Sequence, residues 1–303
     1  MPINPRFSLA LLALMFVALV AGVIAENVPR DPYAASILEF RQNKETALRA
    51  DDGWLTVAGL FWLKEGNNDF GSDPTNAIQL PAPAPAHLGK LVLHGANIIL
   101  EPAYDHELLL NGKKAERAEL KVKPRPDLMT YQNLTFFVIH RGDRFALRLR
   151  NKDNPARKHF AGMKFFPIDR QYRIQANWLP SDPPKKISVP TILGTSVDMV
   201  SPGTIEFSLQ GTKYRLTPVL EEPDSKELFI IFGDWTNAKG SYGGGRFLYT
   251  PLPMNGKVVL DFNRAENPPC AFTPYATCPL PPKENKLSVA IPAGEQFTGH
   301  AAH

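Results

Sequence analysis

Seven short apolar runs follow one another between residues 187 and 262: ISVPTILG (187–194), SVDMV (196–200), TIEFSLQG (204–211), YRLTPVL (214–220), LFIIFGDW (228–235), FLYTPL (247–252) and VVLDF (258–262). Glycine, proline or aspartate separates these runs, and such residues favour the turns that join antiparallel strands. About seven or eight strands at this spacing predict an antiparallel β-meander that forms a small barrel or a sandwich. A barrel of that size can enclose one small ligand.

The chain before this meander is predicted to combine one helix with a second β-rich region. Residues 31–50 have a helical pattern, because Asp31 can cap the first turn and Pro32 suits the first helical position. Strands are then predicted at 90–94, 97–101, 107–110, 118–123, 134–140 and 145–150. The last two are expected to form a hairpin across the turn at 141–143. The 29 prolines and 21 glycines of the chain also favour strands and loops.

The predicted fold class is therefore mainly β, with an N-terminal helix, a β-sandwich-like half and a C-terminal antiparallel β-meander. We place a boundary between residues 165 and 166, so that the first half spans 31–165 and the second spans 166–298. Residues 181–184 (SDPP) are predicted to be a loop near this boundary.

The first 25 residues have the pattern of a secretory signal peptide. Arg6 is followed by an uncharged, largely apolar run over 7–25 that ends in the small residue Ala25. The sequence therefore predicts cleavage before Glu26 and an exported protein, periplasmic or secreted. Because the run is long enough to span a bilayer, an uncleaved N-terminal anchor is the alternative. No membrane contact beyond this segment is expected.

Basic residues are concentrated in the middle of the chain. Residues 111–175 contain 16 Lys or Arg against 6 Asp or Glu, whereas the full chain has a formal charge of only +4. This asymmetry favours an anionic small molecule or envelope polymer as the partner, with Arg148 and Arg150 as candidate ligand-binding residues. The alternative is that alternate strand positions simply expose basic side chains to water. Nucleic acid is not an expected partner of an exported protein, and the sequence indicates no oligomeric state.

A second candidate region follows the last strand and reads DFNRAENPPCAFTPYATCPLPPKEN (261–285); we call it the proline-rich loop. Repeated proline excludes a helix, and interleaved aromatic and polar residues are untypical of a linker, so an ordered, functional loop is predicted. Arginine at this site would bind carboxylate or phosphate, and asparagine would orient the ligand. The candidate ligand-binding residues at and facing this loop are Arg246, Asp261, Asn263, Arg264, Asn267, Tyr275 and Asn285.

Both cysteines of the chain, Cys270 and Cys278, lie in the proline-rich loop. In an exported protein they are predicted to form a disulfide bond. The alternative is a reactive Cys270 thiolate beside Arg264, in which Cys270 would be a catalytic nucleophile. No histidine lies near the two cysteines, so no metal site is expected. The glycine-rich run GSYGGGR (240–246) is not followed by a helical pattern, so no nucleotide cofactor is expected either.

Two further functions are compatible with these residues. Asp234 and Asp261 lie at the ends of apolar strands, where a charge must be paired, solvated or functional. A cofactor-independent hydrolase would use Asp234 or Asp261 as general base, and Arg246 or Arg264 would stabilise the developing negative charge. The other alternative is a structural envelope scaffold without catalytic activity.

Several motifs together resemble the family catalogued as domain of unknown function 1684. They are GWLTVAGLFWLKEG (53–66), FGSDP (70–74), SPGTIEF (201–207), GGGRFL (243–248) and the proline-rich loop. The resemblance runs from about residue 35 to Phe297, and it implies one continuous module without an agreed activity. Glu266 stands where the family pattern has an aromatic residue, so the resemblance implies no ring stacking at this position.

A second similarity concerns the first half of the chain. FGSDPTNAIQLP (70–81), PAPAHLGKLVLHGANIILEP (83–102) and the Asn111-Gly112 pair resemble a forkhead-associated β-sandwich. That fold implies short strands with loops clustered at one end. Its phosphothreonine-binding members carry an arginine after the first glycine, where this chain has Ser72, so phosphopeptide binding is not expected.

Overall fold

A computed structural model describes residues 31–297 and Gly299. The fold is mainly β, as predicted, with several antiparallel sheets and one long helix at the N-terminal end. The predicted signal peptide, residues 1–25, lies outside the described residues. Within the described part of the chain, no helix is both long and apolar enough to cross a membrane. The described part of the chain divides into two units, with the division between Asn43 and Lys44.

The α-helices within the described residues are α1 (Pro32–Arg49) and α2 (Pro155–Lys158). Helix α1 begins as predicted, because Asp31 accepts a hydrogen bond from the backbone N–H of Tyr33 at 3.0 Å and proline occupies the first helical position. The chain then turns sharply at Gly53. A Cβ atom there would lie 2.4 Å from the carbonyl oxygens of Ala47 and Leu48, so only glycine fits at this turn.

The strands are β1 (Val57–Trp62), β2 (Gly66–Gly71), β3 (Ile78–Gln79), β4 (Gly89–His94), β5 (Asn97–Pro102), β6 (Leu109–Leu110), β7 (Lys113–Lys114), β8 (Ala118–Glu119), β9 (Met129–Tyr131), β10 (Leu134–Arg141), β11 (Arg144–Asn151), β12 (Lys164–Phe165), β13 (Arg173–Pro190), β14 (Ser196–Leu209), β15 (Thr212–Leu216), β16 (Glu227–Phe232), β17 (Arg246–Pro251), β18 (Lys257–Asp261) and β19 (Glu295–Gln296). They form a six-stranded sheet (β1-β11-β10-β9-β6-β7), a five-stranded sheet (β3-β2-β4-β5-β8) and a four-stranded sheet (β15-β14-β13-β18). Two further pairs, β16-β17 and β12-β19, complete the described sheets. The short strands β2 and β3 pair in parallel, whereas the long neighbouring strands are antiparallel.

The hairpin predicted over 134–150 is present as β10 and β11, and β11 is buried on both faces. On one face, Leu147 and Leu149 belong to a hydrophobic core that the six-stranded and five-stranded sheets share. On the other face, Ala146 and Arg148 are buried as well. An antiparallel strand usually leaves its polar side in water. The arginine face of β11 is therefore covered by another part of the chain.

The second half has a core of its own between the four-stranded sheet and the β16-β17 hairpin. Phe207 and Leu260 of the sheet lie in one cluster with Ile230 and Leu248 of the hairpin. The ring centroids of Phe207 and Phe262 are 5.8 Å apart. Fully burying one such side chain stabilises a fold by about 1.5–3 kcal/mol. The predicted domain boundary at 165/166 stays a prediction.

The loop predicted at 181–184 is wrong. Strand β13 runs through this segment, and its pairing with β14 shifts register between Pro180 and Lys185. Proline has no N–H for a ladder hydrogen bond, so the prolines of this segment are accommodated where the pairing is irregular. Strand β14 likewise joins the runs SVDMV and TIEFSLQG, which the sequence predicts as two strands.

Candidate functional site

The proline-rich loop is ordered, and its asparagines hold it to the rest of the fold. Asn285 accepts a hydrogen bond from the N–H of Thr217 at 2.7 Å and donates to the carbonyl oxygens of Thr217 and Ile231 at 3.0 and 2.9 Å. Asn263 is also buried and bonds the backbone of Asp169 in the same two-way manner, at 3.0 and 2.8 Å. The amides of these two predicted site residues are therefore used by the protein's own backbone.

Asn267 lies beside a buried carboxyl group that sequence reasoning missed. Its N–H donates to Oε2 of Glu295 at 2.8 Å, and its side chain donates to the carbonyl oxygen of Gln296 at 3.2 Å. Burial raises the pKa of Glu295 to about 8 and also raises the pKa of the neighbouring Glu266, whose ion pair with Lys44 measures 2.5 Å. Asn267, Glu266 and Glu295 thus form a buried polar cluster.

Arg246 and Asp234 form a fully buried ion pair. The guanidinium of Arg246 donates to the carboxylate of Asp234, to the carbonyl oxygen of Ala293 and, at 2.9 Å, to that of Ile291. The other oxygen of Asp234 accepts from the N–H and Oγ1 of Thr236 at 2.6 and 2.5 Å. Only Nε of this guanidinium lacks an acceptor among the described residues. Both carboxylate oxygens of Asp234, a predicted general base, therefore already accept hydrogen bonds from the protein.

Three other predicted residues lie together at the start of the loop. Oδ2 of Asp261 is 3.6 Å from Nε of Arg264 and 3.9 Å from Nε of Arg173. Oδ1 of Asp261 accepts from the N–H of Asn263 at 3.2 Å and so caps the 3-10 turn that follows. Asp261, Asn263 and Arg264 thus form one local cluster.

A groove of about 600 Å³ lies next to Asp234. Its lining includes Trp235 and the glycine segment 243–245. Gly245 has a φ of +90°, and a Cβ there would lie 2.3 Å from Cγ of Pro281, so this position requires glycine. Among the described residues that the sequence predicts as site residues, Asp234 is the one that lines this groove, and its carboxylate is already engaged.

Three neighbouring arginines of the six-stranded sheet form what we call the arginine cluster: Arg141, Arg148 and Arg150. The first two contact the cysteine-containing part of the loop. Nη2 of Arg148 donates to the carbonyl oxygen of Tyr275 at 3.3 Å. Nε of Arg141 donates to Oγ1 of Thr277 at 2.9 Å. These contacts explain why the polar face of β11 is buried. They also bring together two predicted site residues, Arg148 and Tyr275.

Aromatic rings cover two guanidinium groups of the cluster. The guanidinium carbon of Arg148 lies 5.1 Å from the ring centroid of Trp54, and that of Arg150 lies 4.8 Å from that of Phe137. Such cation–π contacts stabilise a cation by about 0.5–2 kcal/mol. The Nε atoms of Arg148 and Arg150 are buried and have no acceptor among the described residues.

The arginine cluster also lacks a carboxylate partner. Within residues 31–297, no Asp or Glu oxygen forms an ion pair of 4.0 Å or less with Arg141, Arg148 or Arg150. Burial, together with repulsion from Arg141 and Arg150, lowers the pKa of Arg148 to about 10. Partial desolvation also lowers the pKa of Arg141, although its side chain is exposed, and that of Arg150, on which the more distant carboxylate of Asp52 acts in the opposite direction. An uncompensated buried charge costs several kcal/mol, so the cluster is chemically suited to receive an anion.

Cys270 and Cys278 lie side by side near this cluster as free thiols. The N–H of Cys270 donates to Sγ of Cys278 at 3.1 Å. A hydrogen bond from the Cys278 thiol lowers the pKa of Cys270, as does the charge of Arg148, whereas the same bond and burial raise the pKa of Cys278. The predicted disulfide stays a prediction. The cation that acts on Cys270 is Arg148, while Arg264 pairs with Asp261.

Sequence reasoning selected part of the arginine cluster and missed the rest. Arg148 and Arg150 followed from the basic bias of the central segment. The sequence places Arg141 in the hairpin turn, whereas its pairing with Arg144 puts it on the same sheet face as Arg148 and Arg150. The strand register is the signal that indicates this position. No local pattern indicates Trp54, because its contact with Arg148 joins distant parts of the chain.

No curated protein matches this chain. The chain is similar to the solution NMR structure of an uncharacterized protein from Haloarcula marismortui, with 31% identity over 46% of this chain and 78% of that chain, and a TM-score of 0.40. The similarity of the first half to a forkhead-associated sandwich is not borne out.

A family model described as a protein of unknown function, DUF1684, matches residues 158–296. The matched segment contains the β-meander and the proline-rich loop with both cysteines, whereas the arginine cluster precedes it. The match is shorter than the span of the sequence resemblance but contains its longest motif. The chain therefore belongs to the DUF1684 family of proteins of unknown function.

Proposed function

We propose that the protein binds a small anionic ligand at the arginine cluster, where β11 meets the proline-rich loop. The observation that carries this proposal is Arg148, which is only 4% exposed and has no carboxylate partner among the described residues. An unpaired buried ion destabilises a fold by several kcal/mol. A perturbed, buried charge of this kind is characteristic of functional sites.

Arg246 provides an internal comparison. It is 0% exposed, yet its charge is neutralised by Asp234 and two backbone carbonyl groups complete its hydrogen bonds. Such a group needs no ligand. Arg148 has a single carbonyl acceptor, Tyr275, and no carboxylate counter-charge within the described part of the chain.

The donors of the cluster define the chemistry of the ligand. A guanidinium presents several N–H groups in one plane and binds carboxylate or phosphate in a bidentate manner. Trp54 and Phe137 lie over the faces of two of these groups, so an anion would approach their edges, where the N–H groups point. Because Arg148 is almost fully buried, we favour a small molecule over an envelope polymer.

The two alternative functions have less support. A hydrolase based on Asp234 would need a carboxylate oxygen within reach of the substrate, and both oxygens of Asp234 already accept hydrogen bonds. A purely structural scaffold gives no reason to retain an unpaired buried arginine.

Calorimetric titration with sodium succinate and sodium phosphate at constant ionic strength tests the proposal. We expect the wild-type protein to bind at least one of these anions and Arg148→Met to bind none of them. Arg117→Met is the matched control, because Arg117 is exposed and paired with Glu101. Equal binding by the wild type and Arg148→Met, or no binding by either, would contradict the proposal.

We also propose that the protein is exported. The support is the apolar run at 7–25, which ends in Ala25 and is followed by Glu26. Expression with a C-terminal tag, followed by cell fractionation and mass measurement, tests this. A mature chain that begins at Glu26 in the periplasm or medium is the expected result. A full-length chain in the membrane fraction would instead support the uncleaved anchor.

A further inference from the structure

We propose that Cys270 and Cys278 are a redox-active pair that exchanges with a small anionic disulfide, with Cys270 as the nucleophile and Cys278 as the resolving thiol. This inference rests on the anion site proposed above, because the arginine cluster would hold the carboxylate groups of the disulfide. It assigns a reaction to two thiols that the anion-binding function leaves unused.

The positions of the two thiols differ as such a reaction requires. Cys270 is half-buried, whereas Cys278 is only 5% exposed. The two residues are in contact, since the N–H of Cys270 donates to Sγ of Cys278 at 3.1 Å. An accessible thiolate attacks the external disulfide, and a shielded neighbour then displaces the bound group.

The surroundings of Cys270 favour the thiolate. Arg148 supplies a positive charge close to both sulfur atoms, and the Cys278 thiol donates a hydrogen bond to Cys270. These two interactions lower the pKa of Cys270, in the order hydrogen bond and then Arg148. Cationic, partly exposed surroundings distinguish reactive cysteines from buried structural ones.

The segment that carries the thiols is held in place without a disulfide. Oγ1 of Thr273 donates to the carbonyl oxygen of Val57 at 3.0 Å, and Thr277 accepts from Arg141. A 3-10 turn over Pro269–Ala271 fixes the start of the segment. A disulfide is therefore not needed to position these residues.

The reaction balances in two steps. In the first, the Cys270 thiolate attacks one sulfur of the disulfide RSSR, the S–S bond breaks, and RS⁻ leaves with the electron pair. In the second, the Cys278 thiol gives its proton through solvent to the first RS⁻ and attacks Sγ of Cys270. The Cys270–Cys278 bond forms, the bond between Cys270 and SR breaks, and a second RS⁻ leaves and takes a proton from solvent. RSSR is reduced to two thiols, the protein dithiol is oxidised to a disulfide, and the reverse reaction uses the same steps.

Oxidised glutathione, an anionic disulfide, and cystamine, a cationic one, are suitable probes for the reduced full-length protein. Mass spectrometry of the wild type should show the internal disulfide. Cys278→Ser should instead accumulate glutathione on Cys270, and Cys270→Ser should not react. Arg148→Met should slow the reaction with oxidised glutathione by about tenfold or more and the reaction with cystamine much less. With oxidised glutathione the variant loses both the contact with the anion and the stabilisation of the thiolate, whereas with cystamine it loses only the latter.

A parallel calorimetric titration with S-methylglutathione, which carries the carboxylates but cannot exchange, separates the two proposals. If it binds to the wild type and not to Arg148→Met while Cys270 reacts no faster than cysteine in an unfolded peptide, the redox inference is wrong and the anion site stands. If both disulfides react equally fast and Arg148→Met changes neither rate nor binding, the anion site is wrong and this inference falls with it.

Discussion

Arg148 of β11 donates a hydrogen bond to the carbonyl oxygen of Tyr275 at 3.3 Å, and this contact joins the six-stranded sheet to the proline-rich loop. The contact satisfies one N–H group but leaves Arg148 without a carboxylate partner among the described residues. A buried charge of this kind destabilises the ligand-free protein. An anion that supplies the missing negative charge would then stabilise the fold by the free energy of its binding.

The first prediction is that Arg148→Met does not destabilise the ligand-free protein. Methionine keeps most of the side-chain volume and removes the desolvation cost of the charge, so we expect the free energy of unfolding to be equal or greater. Urea denaturation of the two proteins in an anion-poor buffer measures this. A loss of more than about 2 kcal/mol would indicate that Arg148 is a structural residue.

The second prediction is the opposite result for Arg246→Met. This change leaves the carboxylate of Asp234 buried without its cation, and breaking a buried pair in this way costs about 3–5 kcal/mol. The same denaturation experiment provides the measurement. A stability within 1 kcal/mol of the wild type would show that the Arg246–Asp234 pair contributes little.

Local sequence patterns predict the elements whose interacting residues lie close together in the chain. Apolar and polar residues that alternate on both sides of one turn predict the β10–β11 hairpin. The capping residue Asp31 and the helical spacing of apolar residues predict helix α1. The course of β13 was missed because pairing with β14 outweighs the local preference of its prolines. Arg148 and Tyr275 are 127 residues apart, so no local pattern predicts their contact.

The roles of the loop asparagines were missed for the same reason. The sequence places Asn263 and Asn285 in a polar loop, where a ligand contact is a natural interpretation. Their amides instead bond backbone groups 54 to 94 residues away, and only the fold brings those groups together. Residue type alone does not distinguish an amide that binds a ligand from one that replaces a missing backbone partner.

The third prediction concerns Asn285→Ala. This change removes three hydrogen bonds to the backbone of Thr217 and Ile231 and leaves those groups buried, so a loss of about 3 kcal/mol is expected. Chemical denaturation measures it. Asn97→Ala, at the exposed first residue of β5, is the matched control and should stay within about 0.5 kcal/mol of the wild type. Equal effects of the two changes would contradict the anchoring role.

The fourth prediction concerns Glu295 and pH. Burial raises the pKa of Glu295 in the folded protein to about 8, whereas an unfolded chain releases this proton near pH 4.3. The folded state therefore binds more protons in this window, and stability must fall as the pH rises from about 4.3 to 8, by at most about 1.4 kcal/mol per pH unit.

Glu295→Gln removes this titration and keeps an oxygen that accepts the N–H of Asn267. The stability of the variant relative to the wild type should therefore increase between pH 5 and pH 8. Because Glu266 titrates in both proteins, the difference between their denaturation curves isolates Glu295. A difference that does not change with pH would refute the assignment.

The fifth prediction uses two glycines of one segment. Gly245→Ala places a Cβ 2.3 Å from Pro281 at a φ of +90°, so we expect a loss of at least about 2 kcal/mol. Gly243→Ala is the control, since its Cβ would meet only Ala238 at an ordinary 3.6 Å. Thermal denaturation of both variants gives the comparison, and similar melting temperatures would contradict the packing described here.

Titration of the wild type and of folded Arg148→Met with succinate and phosphate tests the anion site most directly. The account predicts that the wild type binds one of these anions with a stoichiometry of one, and that Arg148→Met, although equally stable without ligand, binds neither. Identical heats for the two proteins with both anions would contradict it.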